Sequence, residues 1–232
     1  MSWFIAGTDT GAGKTFVTCA LLHAFAELGI RVVAMKPLAA GLVERAGVLI
    51  NEDVAELQAA MGGAAPPLSV INPYALADPT APHIAAARAG IRLDLVPIEN
   101  AYAQARKLGE VVLVEGVGGW CLPLNESQWL ADIARTLELP VLLVAGIRLG
   151  ALNHTLLTAR AIAADGCRLD GWIANVLDPN YPYADHTIES LADSLGSAPL
   201  AIVPWMAQSD PTRAGVPIKK ATQELMLLRQ SA

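Results

Sequence analysis

Positive charge is scarce in this sequence. Lysine and arginine number 16 against 22 aspartates and glutamates, which gives a formal net charge of −6 and a pI near 5.2. That balance lacks the basic footprint of a nucleic-acid binder, so no nucleic-acid partner is expected. Long hydrophobic runs are missing too. Mean hydropathy is +0.41, yet stretches such as "LPVLLVAGI" (139–147) fall well short of the roughly 18 apolar residues that cross a bilayer. Such runs read as buried strands of a parallel sheet, and no membrane partner is expected. The opening "MSWFIAG" has neither a basic start nor a cleavage-site pattern, so it does not read as a secretory signal. The three cysteines, Cys19, Cys121 and Cys167, are odd in number and without metal-ligand spacing. They suit a reducing cytoplasm and read as small core residues.

Aromatic residues make up 5 % of the chain, so the core must be built from the aliphatic residues that dominate its 53 % hydrophobic content. Over 232 residues that content suits one compact domain spanning 1–232. No internal repeat, low-complexity tract or Ser/Gly linker divides it. Apolar, β-rich runs fall at 2–7, 31–36, 110–116, 140–146, 169–175 and 199–204. Helical patterns fall near 14–28, 51–61, 95–107, 128–138, 152–165, 184–194 and 219–229. This alternation predicts an α/β fold, with a mainly parallel sheet and helices on both faces. The least regular stretch is 62–94, with prolines at 73, 79 and 82, and it is a candidate for substrate loops beyond the strand ends.

The first strand runs through "TDTGAGKT" (8–15) into "FVTCALLHAFAEL", a strand, Gly-rich turn and helix in the order a phosphate-binding loop requires. Backbone N–H groups of such a turn converge on phosphates, and the helix N-terminus adds positive potential. Lys14 would reach the β- and γ-phosphates and the Thr15 hydroxyl would ligate Mg²⁺. The strict spacing asks for glycine at position 8, which is Thr8, whereas Gly7 lies one residue earlier. Nucleotide switches of the ParA or MinD kind need a signature lysine four or five places before Lys14, and Asp9 and Thr10 stand there. Glu115 ends the run "VVLV", where a carboxylate would meet the metal. Asp53 in "NEDVAEL" reads equally as a metal ligand or as an ordinary acid in a first helical turn. Lys36, closing the second strand, reads as a second cation for charge transfer between anions or as a solvated strand-end lysine.

"GTDTGAGKT", "KPLAAG", "NPYALADPTAPHIAA", "VEGVGGWCLPL", "VLLVAGIRLGALNHTLLT", "GWIAN" and "VPW" occur in this order. Together they closely resemble the dethiobiotin synthetases, from the first strand to about residue 206. The resemblance implies a P-loop NTPase-like fold and a homodimer with its site at the interface. The implied reaction uses ATP with Mg²⁺, 7,8-diaminononanoate and CO2 or bicarbonate. An amine is carboxylated to a carbamate, ATP phosphorylates the carbamate, and the second amine closes the ring, releasing ADP and phosphate. By resemblance, Lys36, Lys14 and Thr10 are catalytic and Thr15, Asp53 and Glu115 hold the metal. Gly11, Ala12, Gly13, Phe16, Gly116, Val117 and Gly118 then surround the phosphates. Asn175, Val176, Pro204, Trp205 and Met206 border the base. Asn175 reads otherwise as a turn former ahead of "DPN". Lys36, Ala40 and the helix start Gly150, Ala151, Leu152 and Asn153 contact the diamine, the helix start acting across the dimer, with Asn153 otherwise a helix cap. Ala40, Gly11 and Val176 stand where many members carry Ser, an acid and Asp. Two other readings compete, an amidoligase of the cobyrinic acid synthase kind and a ParA-like switch. The first would require an added glutaminase domain, for which this length leaves no room.

Overall fold

The computed structural model describes residues 1–45, 47–206 and 210–230. Its centre is a six-stranded sheet of β1 (Ser2–Gly7), β2 (Val32–Met35), β7 (Val111–Glu115), β8 (Val141–Ile147), β9 (Leu169–Val176) and β10 (Ala201–Val203), ordered β10-β9-β8-β1-β7-β2. Every pairing in it is parallel. The helices are α1 (Lys14–Glu27), α2 (Glu52–Met61), α3 (Leu68–Ile71), α4 (Pro82–Arg88), α5 (Leu95–Leu108), α6 (Leu130–Thr136), α7 (Ala151–Ala164), α8 (Ala184–Leu195) and α9 (Gly215–Gln230). Outside the main sheet, β3 (Leu38–Ala40) pairs in parallel with β6 (Tyr74–Leu76), and β4 (Val43–Arg45) forms a hairpin with β5 (Val48–Ile50).

Alternation along the strands divides the core into two layers. Phe4, Met35, Val112, Val114 and Leu143 pack on one face, whereas Trp3, Ile5, Leu113, Leu142 and Val144 pack with α1 on the other. Because α2 and α9 also press on α1, that helix is apolar on nearly every side, with Val17, Leu21, Leu22 and Phe25 buried. No helix among the described residues is long and apolar enough to cross a membrane.

The six main strands fall within one or two residues of the sequence expectation. The stretch 62–94 differs, since α3, β6 and α4 all lie inside it. Elements of three to seven residues are too short for periodicity to reveal. Helix α9 starts at Gly215, before the expected 219, because Pro217 reads as a breaker in sequence but is tolerated in a first turn. Cysteine burial is also uneven. Cys19 is buried, Cys167 half-buried and Cys121 exposed, so Cys121 departs from the core expectation. Burial raises the Cys19 thiol to about 12, which makes it an inert packing group.

Candidate active site

Parallel strands deliver their carboxyl ends to one edge of the sheet, where ligands of open α/β folds bind. That edge gathers Gly7, Lys36, Glu115, Arg148, Asn175 and Pro204, each at or just beyond the end of a main strand.

Between β1 and α1 the chain turns through residues 8–13. Gly13 caps α1 at φ 84 in the left-handed region, and a Cβ there would lie 2.2 Å from Asn175 Nδ2, so only glycine fits both requirements. Gly7 lies beneath the Lys14 stem, where an added Cβ would come within 2.9 Å of its Cγ and Cδ. This close approach accounts for a glycine at 7. Lys14 is 5 % exposed, and its Nζ donates to the carbonyls of Asp9 (2.9 Å) and Gly118 (2.7 Å). Burial lowers its pKa to about 8, against opposing attraction from Glu115.

Lys36 is 3 % exposed and Glu115 is fully buried. Lys36 Nζ donates to Glu115 Oε1 at 2.8 Å and also to Asp53 Oδ2. Thr15 Oγ1 donates to the same Glu115 oxygen at 2.7 Å. Burial pulls the Lys36 ammonium down, but Glu115 and Asp53 outweigh it and hold the pKa above its usual value. Lys36 is therefore a buried, charged member of the cluster, and its reading as a solvated strand-end lysine is overturned. Asn72 Nδ2 fixes the Lys36 carbonyl at 2.7 Å. Asn51 caps α2 by accepting from the N–H groups of Asp53 and Val54, and its Nδ2 donates to the carbonyls of Ala40 and Gly41. A single asparagine thus ties the end of β3 to the helix that presents Asp53.

The donor set of Thr15, Asp53 and Glu115 consists of hard oxygens, and Glu115 Oε2 is buried without a hydrogen-bond partner. An orphaned buried carboxylate oxygen beside a hydroxyl suits a divalent cation whose other ligands are phosphate oxygens and water. Among the described residues no cluster of three or more His, Cys, Asp or Glu side chains forms.

Two adjoining cavities run along this edge. One, of about 220 Å³, is lined by Thr10, Gly11, Gly13, Lys14, Thr15, Phe16, Lys36, Asp53, Val117 and Gly118. The other, of about 270 Å³, is lined by Gly13, Phe16, Asn175, Val176, Leu177, Pro204, Trp205 and Met206. Phe16 and Gly13 border both. Asn175 is buried inside β9 and its Nδ2 donates to the Ala12 carbonyl at 3.0 Å, so the turn-former alternative fails. Ala12 and Gly116 support the walls, the former fully buried and the latter packed on Phe4.

Of the expected diamine contacts, Lys36 lies here, and the others are not gathered with it. Ala40 lines neither cavity, and its carbonyl already accepts Asn51 Nδ2 at 3.0 Å. Gly150, at φ 94, caps α7, which places Asn153 in the first turn and not at the cap. Ala151 is buried and Leu152 exposed. None of residues 150–153 lines either cavity. Sequence reading also missed Asp9 as a hub of the turn, along with Asn51, Asn72 and Arg148. The Asn-Glu-Asp run at the start of α2 signalled the Asn51 cap. Asn72 and Arg148 act through contacts distant in sequence, which no local pattern carries.

A family model described as an AAA domain matches residues 2–213. The chain is 48 % identical over 218 residues to an ATP-dependent dethiobiotin synthetase BioD of Aromatoleum aromaticum, covering 94 % of this chain and 96 % of that protein. It is likewise 48 % identical over 204 residues to the enzyme so named from Xanthomonas campestris pv. campestris, covering 88 % and 91 %. Among solved structures, the MinC:MinD cell division complex of Aquifex aeolicus matches with TM-score 0.62 at 15 % identity, over 97 % of this chain and 95 % of that one. The MinD ATPase of Pyrococcus furiosus matches with TM-score 0.55 at 16 % identity, over 98 % and 100 %. At such identities the structural likeness establishes the P-loop NTPase fold alone. Identity near one half across nearly the full length establishes more, and the chain belongs to the ATP-dependent dethiobiotin synthetase family.

Proposed function

We propose that this protein carboxylates 7,8-diaminononanoate with CO2 and closes the product to dethiobiotin at the expense of ATP. The observation that carries the reading is the convergence of two buried lysines and three hard-oxygen donors on one glycine-rich turn, in a chain 48 % identical to enzymes of that name. The base of ATP would occupy the cavity of Phe16, Asn175, Pro204 and Trp205, and its phosphates the cavity of Gly13, Lys14 and Thr15. Thr15, Asp53 and Glu115 would hold Mg²⁺, which when bound supplies positive charge to the phosphate oxygens.

The chemistry brings together two anions, a carbamate and a γ-phosphate. Lys14 and Lys36 flank their meeting place and offset the repulsion as the carbamate oxygen attacks phosphorus and ADP departs. The resulting carbamic-phosphoric anhydride is then attacked by the second amine, and phosphate leaves as the cyclic urea forms. Thr10, which lines the same cavity, would donate to a carbamate or phosphate oxygen. Burial of Lys36 and Glu115 lets that pair act at low effective dielectric.

The carboxylate tail of the diamine is assigned to Asn153 of the partner subunit and the α7 start that carries it. Leu149 (84 % exposed), just before α7, and Leu152 and Leu157 on it are exposed apolar side chains, which supports an interface between two copies near the α7 start. ADP release by the purified protein with Mg²⁺ and ATP tests the activity. Release that requires both diaminononanoate and bicarbonate is expected. Release with neither, or only with glutamine and a carboxylic acid, contradicts it. Mixing Lys36→Met with Asn153→Asp tests the shared site. After subunit exchange about half the dimers are mixed, each with one sound site, so roughly a quarter of wild-type activity should return. No return means that each site lies within one chain.

A further inference from the structure

Arg148 follows β8 directly and stands two residues before the α7 cap. Its Nη2 donates to Asp9 Oδ2 at 3.0 Å, with the Arg148 side chain 42 % and the Asp9 side chain 29 % exposed. Asp9 is tied to the turn at several other points, its Oδ2 also accepting from the Thr8 hydroxyl at 3.3 Å and its carbonyl from the Ala12 N–H at 3.4 Å. Its Oδ1 accepts the Gly11 N–H at 2.6 Å, and its backbone carbonyl accepts Lys14 Nζ at 2.9 Å. Gly11 has no side chain, and the guanidinium occupies the space beside it, with Nη1 3.7 Å from where a Cβ would stand.

We infer that Arg148 is a positioning residue for the nucleotide turn, acting through Asp9. An uncompensated carboxylate beside a phosphate cradle repels its ligand, and a carboxylate free to rotate releases the Gly11 N–H it holds. The arginine answers both problems with one charged hydrogen bond. It neutralises Asp9 and keeps the carboxylate turned so that Oδ1 stays on the Gly11 N–H. The same side chain joins the β8–α7 connection to the turn, so the nucleotide turn and the start of α7 are held by one ion pair.

The inference rests on residues 8–15 being the nucleotide turn, so the test includes a control for that reading. ADP affinity is measured by calorimetry for wild type, Arg148→Met, Arg148→Lys, Asp9→Asn, the Asp9→Asn/Arg148→Met double variant and Lys14→Met, each first checked by thermal melting. Methionine keeps the apolar stem and removes the charge. Arg148→Met is expected to weaken ADP binding about fivefold, the upper end for a half-exposed pair. Arg148→Lys should recover most of the loss, because an ammonium also reaches Asp9. In the Asp9→Asn background the same Arg148→Met change should cost less than about 1.5-fold, since a residue acting through Asp9 has nothing left to act on. Equal losses in both backgrounds would mean that Arg148 meets the phosphates directly, and no loss in either would mean that it does not serve the turn. Both results overturn the proposal. Wild-type affinity in Lys14→Met would instead overturn the turn assignment itself.

Discussion

Replacing Lys36 by methionine gives the sharpest physical test of the buried cluster. The stem volume is preserved and the charge is lost. Glu115, fully buried, would then keep only the Thr15 hydroxyl on Oε1 and nothing on Oε2. Removing one partner from a buried ion pair costs about 3–5 kcal/mol. For a chain of this size that corresponds to a fall in Tm of about 6–20 °C. Melting followed by circular dichroism, with nucleotide absent and a chelator present, measures it. The companion variant Lys36→Met/Glu115→Gln removes the stranded charge as well and should recover at least half of the loss. A Lys36→Met protein melting within 2 °C of wild type, or a double variant no better than the single one, would refute the claim that the two charges compensate each other. One consequence is practical. Any loss of turnover in Lys36→Met must be read below its lowered melting temperature.

Lys14 is expected to make ADP binding pH-dependent. Its pKa near 8 in the folded protein lies below the usual 10.5, so binding at pH 9 must first restore a proton, and the ADP dissociation constant should be about tenfold higher than at pH 7. The same lowered value means that the unfolded chain binds more protons between pH 8 and 10.5, so stability without nucleotide should rise across that window. A flat affinity profile up to pH 9.5 would contradict this reading. Gly13→Ala forces a left-handed residue and a Cβ 2.2 Å from Asn175 Nδ2. It should weaken ADP binding by at least about tenfold, given a backbone penalty of roughly 1–2 kcal/mol in addition to the clash, as calorimetry would show. Asn175→Ala should narrow the preference for ATP over GTP in kcat/KM, because a site that reads a base edge discriminates through those hydrogen bonds. An unchanged ratio would leave Asn175 as a support for the Ala12 carbonyl alone.

The strand ends were legible in sequence because each buried strand is a continuous apolar run and the polar residue that stops it is conspicuous. Glu115 after "VVLV" and Lys36 after "VVAM" are two such residues, and the parallel topology brings both to the phosphate turn. Asp53 was ambiguous, since its place in a first helical turn says nothing of the cation across the gap. Its contact with Lys36 Nζ joins it to the buried cluster, a partnership that no local pattern carries. Short elements such as α3 and β6 escaped because three or four residues carry no period. Asp9 escaped for a different reason. Its role is spread over a carboxylate facing Gly11 and Arg148 and a carbonyl facing Lys14, and sequence shows residue types without showing which atoms meet.

The most direct measurement follows labelled carbon and ADP together. Purified protein, ATP, Mg²⁺, diaminononanoate and labelled bicarbonate are mixed, and acid-stable label is counted against ADP. A carbamate loses its label in acid and a cyclic urea keeps it. One acid-stable carbon fixed per ADP released is the predicted result. ADP released without fixed carbon would contradict the account.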